Sequence, residues 1–95
     1  MTNNKSAEKQ VDISKRNRLR NRYYKTSVRT LTKLFFKNLE IYKEEQSNES
    51  KKTLKTILSS IYSFLDKGTK RNIFHKNTAA RKKSRLAYYL RKNNI

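Results

Sequence analysis

Hydrophobic residues recur along three stretches of this 95-residue chain with the period of an α-helix, and each stretch predicts one helix. In the first stretch the apolar positions follow steps of 3, 4, 4 and 3: Val28, Leu31, Phe35, Leu39 and Tyr42. The polar residues before this stripe include no helix breaker. The first helix is therefore predicted over about 6–45.

The second stretch has the strongest helical pattern, with these apolar positions: Leu54, Ile57, Leu58, Ile61, Phe64 and Leu65. It predicts a helix over about 49–67. Ser47 or Asn48 is placed to cap its start, and Gly68 or Asn72 can adopt the left-handed conformation that ends a helix.

The third stretch carries smaller apolar residues, and these are Ala79, Ala80, Leu86, Ala87 and Leu90. It predicts a helix over about 76–91, with Asn77 or Thr78 as its N-cap. Alanines at these positions allow a neighbouring helix to approach closely.

The three helices predict an all-α fold in which residues 1–95 form a single domain. The chain has one glycine and no proline, too few turn residues for a β-sandwich or barrel. At about 1.5 Å per residue the first helix spans roughly 60 Å, whereas the other two span roughly 25–30 Å each. We therefore expect a three-helix bundle around the striped half of the first helix, with its basic N-terminal half projecting beyond the bundle.

Charge is sorted along the chain. The net charge is +18, of which residues 1–40 carry +8, residues 41–66 carry none and residues 67–95 carry +10. A cationic excess of this size destabilises a compact state unless a polyanion supplies counter-charge. Nucleic acid is the partner that this distribution indicates.

Two basic patches are the candidate contact surfaces. The first lies in the basic half of the first helix and comprises Lys15, Arg16, Arg18, Arg20, Asn21, Arg22, Lys25 and Arg29, with Lys33 beyond them. Four of its cations follow steps of 4, 3 and 4 and share one side of the helix, and Arg guanidinium groups match phosphate geometry. The second patch, over 75–85, opens at a helix N-terminus, where backbone N–H groups can hold a phosphate.

Composition excludes several other classes of protein. There is no cysteine and one histidine, so a zinc site and a cysteine nucleophile are excluded, and no cofactor or catalytic residue is predicted. His75 is open to two roles, a phosphate or ribose contact or a helix cap. The tyrosines at 23, 24, 88 and 89 are open to base stacking, although packing between helices is the more common role. No apolar run is long enough to span a membrane.

Three segments resemble the bacterial and plastid small-subunit ribosomal protein S20 family. They are 4–7, then 21–30, and above all the run His75-Lys76-Asn77-Thr78-Ala79-Ala80-Arg81-Lys82-Lys83-Ser84-Arg85-Leu86. They occur in the same order as in the family and span nearly the whole chain. Two features depart from the family pattern: Asn72 stands where a glycine is usual, and residues 11–14 are less basic.

The resemblance implies a three-helix bundle that binds small-subunit ribosomal RNA directly, early in assembly, and has no enzymatic activity. The RNA contacts that it implies are Lys5, Ser6, Arg22, Lys25, Arg29, His75, Lys76, Asn77, Arg81, Lys82, Lys83, Ser84 and Arg85. The composition, rich in Lys, Asn and Ile, and the polar N-terminus favour a plastid-encoded protein of the chloroplast stroma, with a bacterial cytoplasm as the alternative.

We therefore expect a structural protein of the small ribosomal subunit that clamps 16S-type RNA helices. We expect it to bind that RNA and to contact neighbouring ribosomal components, and we expect no association with a membrane. Within the ribosome it is expected to be a monomer. The alternative is a DNA-binding basic helical protein, because basic residues over 15–29 followed by apolar residues imitate a basic region and zipper. The zipper seam formed by these apolar residues would extend over only about two heptads and would have Asn38 at a core position. A helix that binds at a membrane surface is a third interpretation of the same cationic pattern.

Overall fold

A computed structural model describes the backbone of residues 5–95 and the side chains of residues 7–95. These residues form three helices: α1 over Lys5–Glu45, α2 over Asn48–Lys70 and α3 over Lys76–Lys92. The predicted all-α fold with a long first helix is confirmed. The predicted and observed helix ends differ most at the C-terminus of α2, which continues to Lys70, three residues beyond the predicted end at residue 67.

A two-residue turn folds α2 back along α1. Gln46 takes a left-handed φ of 50°, and its N–H donates to the carbonyl of Tyr42 at 2.7 Å. Ser47 is the N-cap of α2, because its side chain accepts a hydrogen bond from the Ser50 N–H at 3.1 Å. The two helices are therefore antiparallel, and of the two caps that the sequence offers, Ser47 is the one used.

At the corner between α2 and α3 the structure decides between alternatives that the sequence left open. Asn72, with φ of 61°, takes the left-handed conformation, whereas Gly68 is helical and buried. A Cβ at Gly68 would lie 2.6 Å from Cε2 of Phe74, so the absence of a side chain there makes room for that ring. His75, rather than Asn77 or Thr78, caps α3, because its Nδ1 accepts a hydrogen bond from the Asn77 N–H at 3.2 Å.

The core lies between the C-terminal half of α1 and the apolar faces of α2 and α3. Its buried members come from all three helices: Val28, Phe35, Leu39, Leu54, Ile57, Ile61, Leu65, Ala79, Leu86 and Leu90. Leu58, which the sequence placed in the apolar face of α2, is only half-buried. The rings of Phe36 and Tyr89, with centroids 5.1 Å apart, join α1 to α3.

The N-terminal half of α1 projects from this bundle, as predicted. Residues 8–23 are exposed, and Tyr24 is the first buried position of the helix. The described residues extend over 65 × 22 × 14 Å, which is close to the length of the 41-residue α1. The projecting half presents exposed basic side chains on several sides of the helix.

Candidate nucleic-acid interface

The first basic patch lies on the exposed surface of α1. Every predicted contact of this patch from Lys15 to Arg29 is exposed. A shallow groove, called here the α1 groove, follows one flank of the helix, and its lining includes Asn21 and the four periodic cations Arg18, Arg22, Lys25 and Arg29. Arg16 and Arg20 do not line it. The side chains of Lys5 and Ser6, predicted as RNA contacts, lie outside the described residues.

The second basic patch begins at the N-terminus of α3. His75, Lys76 and Asn77 are exposed there, and so are four residues further along the helix: Arg81, Lys82, Ser84 and Arg85. Since Nδ1 of His75 accepts the hydrogen bond that caps α3, this side chain has a structural role. Its exposure leaves the ring open to an RNA contact as well.

The two patches meet where α3 packs beside α1. A second groove, called here the α1–α3 groove, is lined by three cations of α1, which are Lys25, Arg29 and Lys33, and by Lys82 of α3. Val28, Thr32 and Phe74 complete its lining. Lys25 and Arg29 also line the α1 groove, so the two grooves form one continuous cationic track. Lys33, which the sequence placed at the far end of the first patch, is therefore a member of this surface.

Lys83 differs from the other cations of α3 because it is engaged within the protein. Its ammonium group forms an ion pair with Asp66 of α2 and lies 5.3 Å from the ring centroid of Tyr62. The Tyr62 hydroxyl in turn donates a hydrogen bond to the Lys83 carbonyl at 3.1 Å. These contacts join α3 to α2. Lys83 can therefore contact a phosphate only if some of them are broken.

We predict that Lys82→Gln weakens binding to RNA more than Lys83→Gln does. Lys82 is an exposed cation of the α1–α3 groove, whereas the charge of Lys83 is already compensated by Asp66. Filter binding at about 0.1 M salt compares the two variants, which remove the same charge from adjacent positions. Equal losses of affinity would show that the Asp66 contact does not withhold Lys83 from RNA.

The tyrosines divide into packed and exposed members. Tyr24 is 6% exposed, and it packs edge-to-face on Phe64 of α2 with the Arg71 guanidinium 5.6 Å from its ring centroid. Tyr89 packs on Phe36. Tyr23 and Tyr88 are more than half exposed. Arg71, in the α2–α3 corner, was not predicted to have any role, because its contact with Tyr24 joins residues far apart in the sequence.

Two other kinds of feature are absent from the described part of the chain. No group of three or more His, Asp or Glu side chains is arranged there to hold a metal ion. No helix among these residues is long and apolar enough to cross a membrane.

Comparison with known proteins gives the family. The family model described as Ribosomal protein S20 matches residues 2–91. Small ribosomal subunit protein bS20c of Phaeodactylum tricornutum is 63% identical over 96% of this chain and 98% of its own length. The protein of that name from Trieres chinensis is 60% identical, also over 96% and 98%. Small ribosomal subunit protein bS20 of Prochlorococcus marinus strain MIT 9215 is 45% identical over 96% and 94%.

The chain therefore belongs to the ribosomal protein S20 family. It is a protein of the small ribosomal subunit and not an enzyme, since its relatives are structural ribosomal proteins. The resemblance found in the sequence is confirmed.

Proposed function

We propose that this protein binds small-subunit ribosomal RNA directly and holds separate RNA helices together as the subunit assembles. The observation that carries the proposal is the α1–α3 groove. It brings cations from both basic patches, Arg29 of α1 and Lys82 of α3 among them, to one surface above a common core. A surface to which two basic helices contribute cations can neutralise phosphates of two RNA helices at once.

Each helix has a separate part in this mechanism. α2, most of which lies in the neutral segment 41–66, supplies much of the core and orients the two basic helices against each other. The projecting half of α1 carries cations on several sides, which suits insertion between phosphate walls better than contact with one flat surface. Recognition depends mainly on the shape, phosphates and 2′-hydroxyls of duplex RNA, and base reading in duplex regions is minor.

The partners follow from this role: ribosomal RNA and the neighbouring components of the small subunit, with one copy of the chain in each subunit. The location is the plastid ribosome, because the relatives with 63% and 60% identity are of the chloroplast type, bS20c. The bacterial relatives named bS20 fit the alternative location, a bacterial cytoplasm.

The packing of α1 disfavours the alternative of a dimeric DNA-binding zipper. The stripe that would form the seam is occupied within the chain, since Phe35 and Leu39 are buried in the core shared with α2 and α3. A second copy of α1 would have to displace α2 to reach these residues.

The test is binding of the full chain to small-subunit ribosomal RNA over a salt series, with duplex DNA as competitor. We expect tight binding that persists at moderate salt and in excess DNA, because a surface formed by two basic helices fits a particular arrangement of RNA helices. Equal competition by DNA, with the same steep salt dependence, would mean that the protein is a generic polycation and would overturn the proposal.

A further inference from the structure

A recess opens beside the α1 groove, where α1 passes the C-terminal half of α2. Its lining includes Leu19, Tyr23 and Leu31 of α1 and Phe64 of α2, together with Arg22 and Thr26. We call it the Tyr23 recess. It is mainly apolar, and Leu19 remains 55% exposed within the most basic part of the helix. Leu31 and Phe64 pack against the core, whereas Leu19 and Tyr23 are not part of it.

Tyr23 is held in place although it is exposed. Its ring makes edge-to-face contacts with Tyr24 and Phe64, with centroids 5.8 and 5.9 Å apart. It is nevertheless 60% exposed, whereas the adjacent Tyr24 is almost fully enclosed by Phe64, Tyr23 and Arg71. An aromatic ring that is already ordered loses little side-chain entropy when a planar ligand stacks on it.

The recess and the α1 groove share a wall. Arg22 and Thr26 line both of them, with the apolar recess on one side and the cations Arg18, Lys25 and Arg29 on the other. A nucleic-acid strand whose phosphates lie along the α1 groove therefore passes next to an apolar space that contains a tyrosine ring.

We propose that the Tyr23 recess receives one unpaired base of the RNA, stacked on Tyr23, while Arg22 contacts an adjoining phosphate. This inference rests on the proposed RNA-binding function and adds to it a contact with a base. Unpaired bases in loops and bulges can turn outward and stack on aromatic side chains, whereas paired bases in a duplex cannot.

Charge favours a nucleotide over an apolar protein segment as the occupant. Arg22 is the one charged residue among the described lining residues of the recess, and residues 1–40 carry a net charge of +8. An RNA strand held in the neighbouring groove would bring its bases to the recess. A protein segment would have to reach the same place past the strand.

The test compares the wild-type chain with Tyr23→Ala, Tyr23→Leu and Tyr23→Phe for binding to small-subunit ribosomal RNA over a salt series. Ile41→Ala is the control, because Ile41 is 39% exposed and lies near the other end of α1, outside the recess and both grooves. We expect Tyr23→Ala and Tyr23→Leu to weaken binding roughly 5- to 100-fold, as loss of a base–aromatic stack does, and Tyr23→Phe to bind like wild type. The slope of log K against log salt should stay unchanged, since no phosphate contact is removed.

A second readout is ultraviolet cross-linking of the wild-type complex, followed by mass spectrometry. We expect a nucleotide adduct on the peptide that contains Tyr23, and the adduct should map to an unpaired position of the RNA. A cross-link from Tyr23 to another protein in assembled subunits, with no RNA adduct, would assign the recess to a protein and overturn the inference.

The outcomes separate this inference from the function on which it rests. If wild type does not bind the RNA, the proposed function fails. If wild type binds and Tyr23→Ala binds equally well, the inference alone fails. A loss in Tyr23→Ala that Tyr23→Leu restores would assign Tyr23 to helix packing and likewise overturn base stacking. Circular dichroism and urea midpoints establish that each variant is folded before its affinity is compared.

Discussion

Phe35→Ala is expected to destabilise the protein by about 3–5 kcal/mol. Phe35 is 0% exposed and lies at the centre of the contact between α1 and the other helices. Its ring also packs edge-to-face on Phe36, with centroids 5.5 Å apart. Truncation removes this packing and leaves a cavity that neighbours on three different helices can fill only in part.

Such a loss is large for a chain of this size. Domains are typically stable by about 5–15 kcal/mol, and a small, strongly cationic chain lies toward the lower end. Urea unfolding followed by helical circular dichroism measures the change, and the slope with urea should be unaltered if the unfolded state is unchanged. Leu34→Ala is the matched control, because Leu34 is the preceding residue of the same helix and is 42% exposed. Similar urea midpoints for the two variants would contradict the described packing of α1.

The triple variant Lys25→Gln, Arg29→Gln and Lys82→Gln is expected to lower affinity for small-subunit ribosomal RNA by at least about 100-fold at 0.1 M salt. All three cations line the α1–α3 groove, and a hydrogen bond to a charged group contributes about 1.5–3 kcal/mol. The slope of log K against log salt should become shallower by about 3, one unit for each lost phosphate contact.

The control for this variant removes the same charge from α2. Lys51, Lys52 and Lys55 lie in the neutral segment, away from both grooves. Changing these three residues to Gln should leave the affinity within a few-fold of wild type. If the two triple variants lose affinity equally, binding depends on total charge, and the α1–α3 groove has no special part in it.

The three helices could be predicted from the sequence because helical periodicity is a local property. The face of α2, with Leu54, Ile61 and Leu65, shows the period clearly, and Ser47 is a residue type that commonly caps helices. The sequence offered His75 as a cap only beside other roles, because histidine is not among the residues that usually cap a helix.

Gly68 shows why the corner between α2 and α3 was harder to predict. Glycine near a helix end suggests a left-handed residue, but this glycine stays helical and serves as space for Phe74. Whether a glycine supplies conformational freedom or space depends on which ring packs against it. That contact forms only when the chain has folded back at Asn72.

Residue type and order along the chain were enough to determine the all-α class, the two basic segments around a neutral one, and the resemblance to the family. They could not separate Lys82 from Lys83 or Tyr23 from Tyr24, because each pair consists of identical neighbours. The tertiary structure separates them: Asp66 of α2 engages Lys83, and Tyr24 is buried beside Arg71, whereas Tyr23 stays 60% exposed. The physical reason is that periodicity and charge are carried by nearby residues, whereas grooves and side-chain partners depend on how the core sets one helix against another.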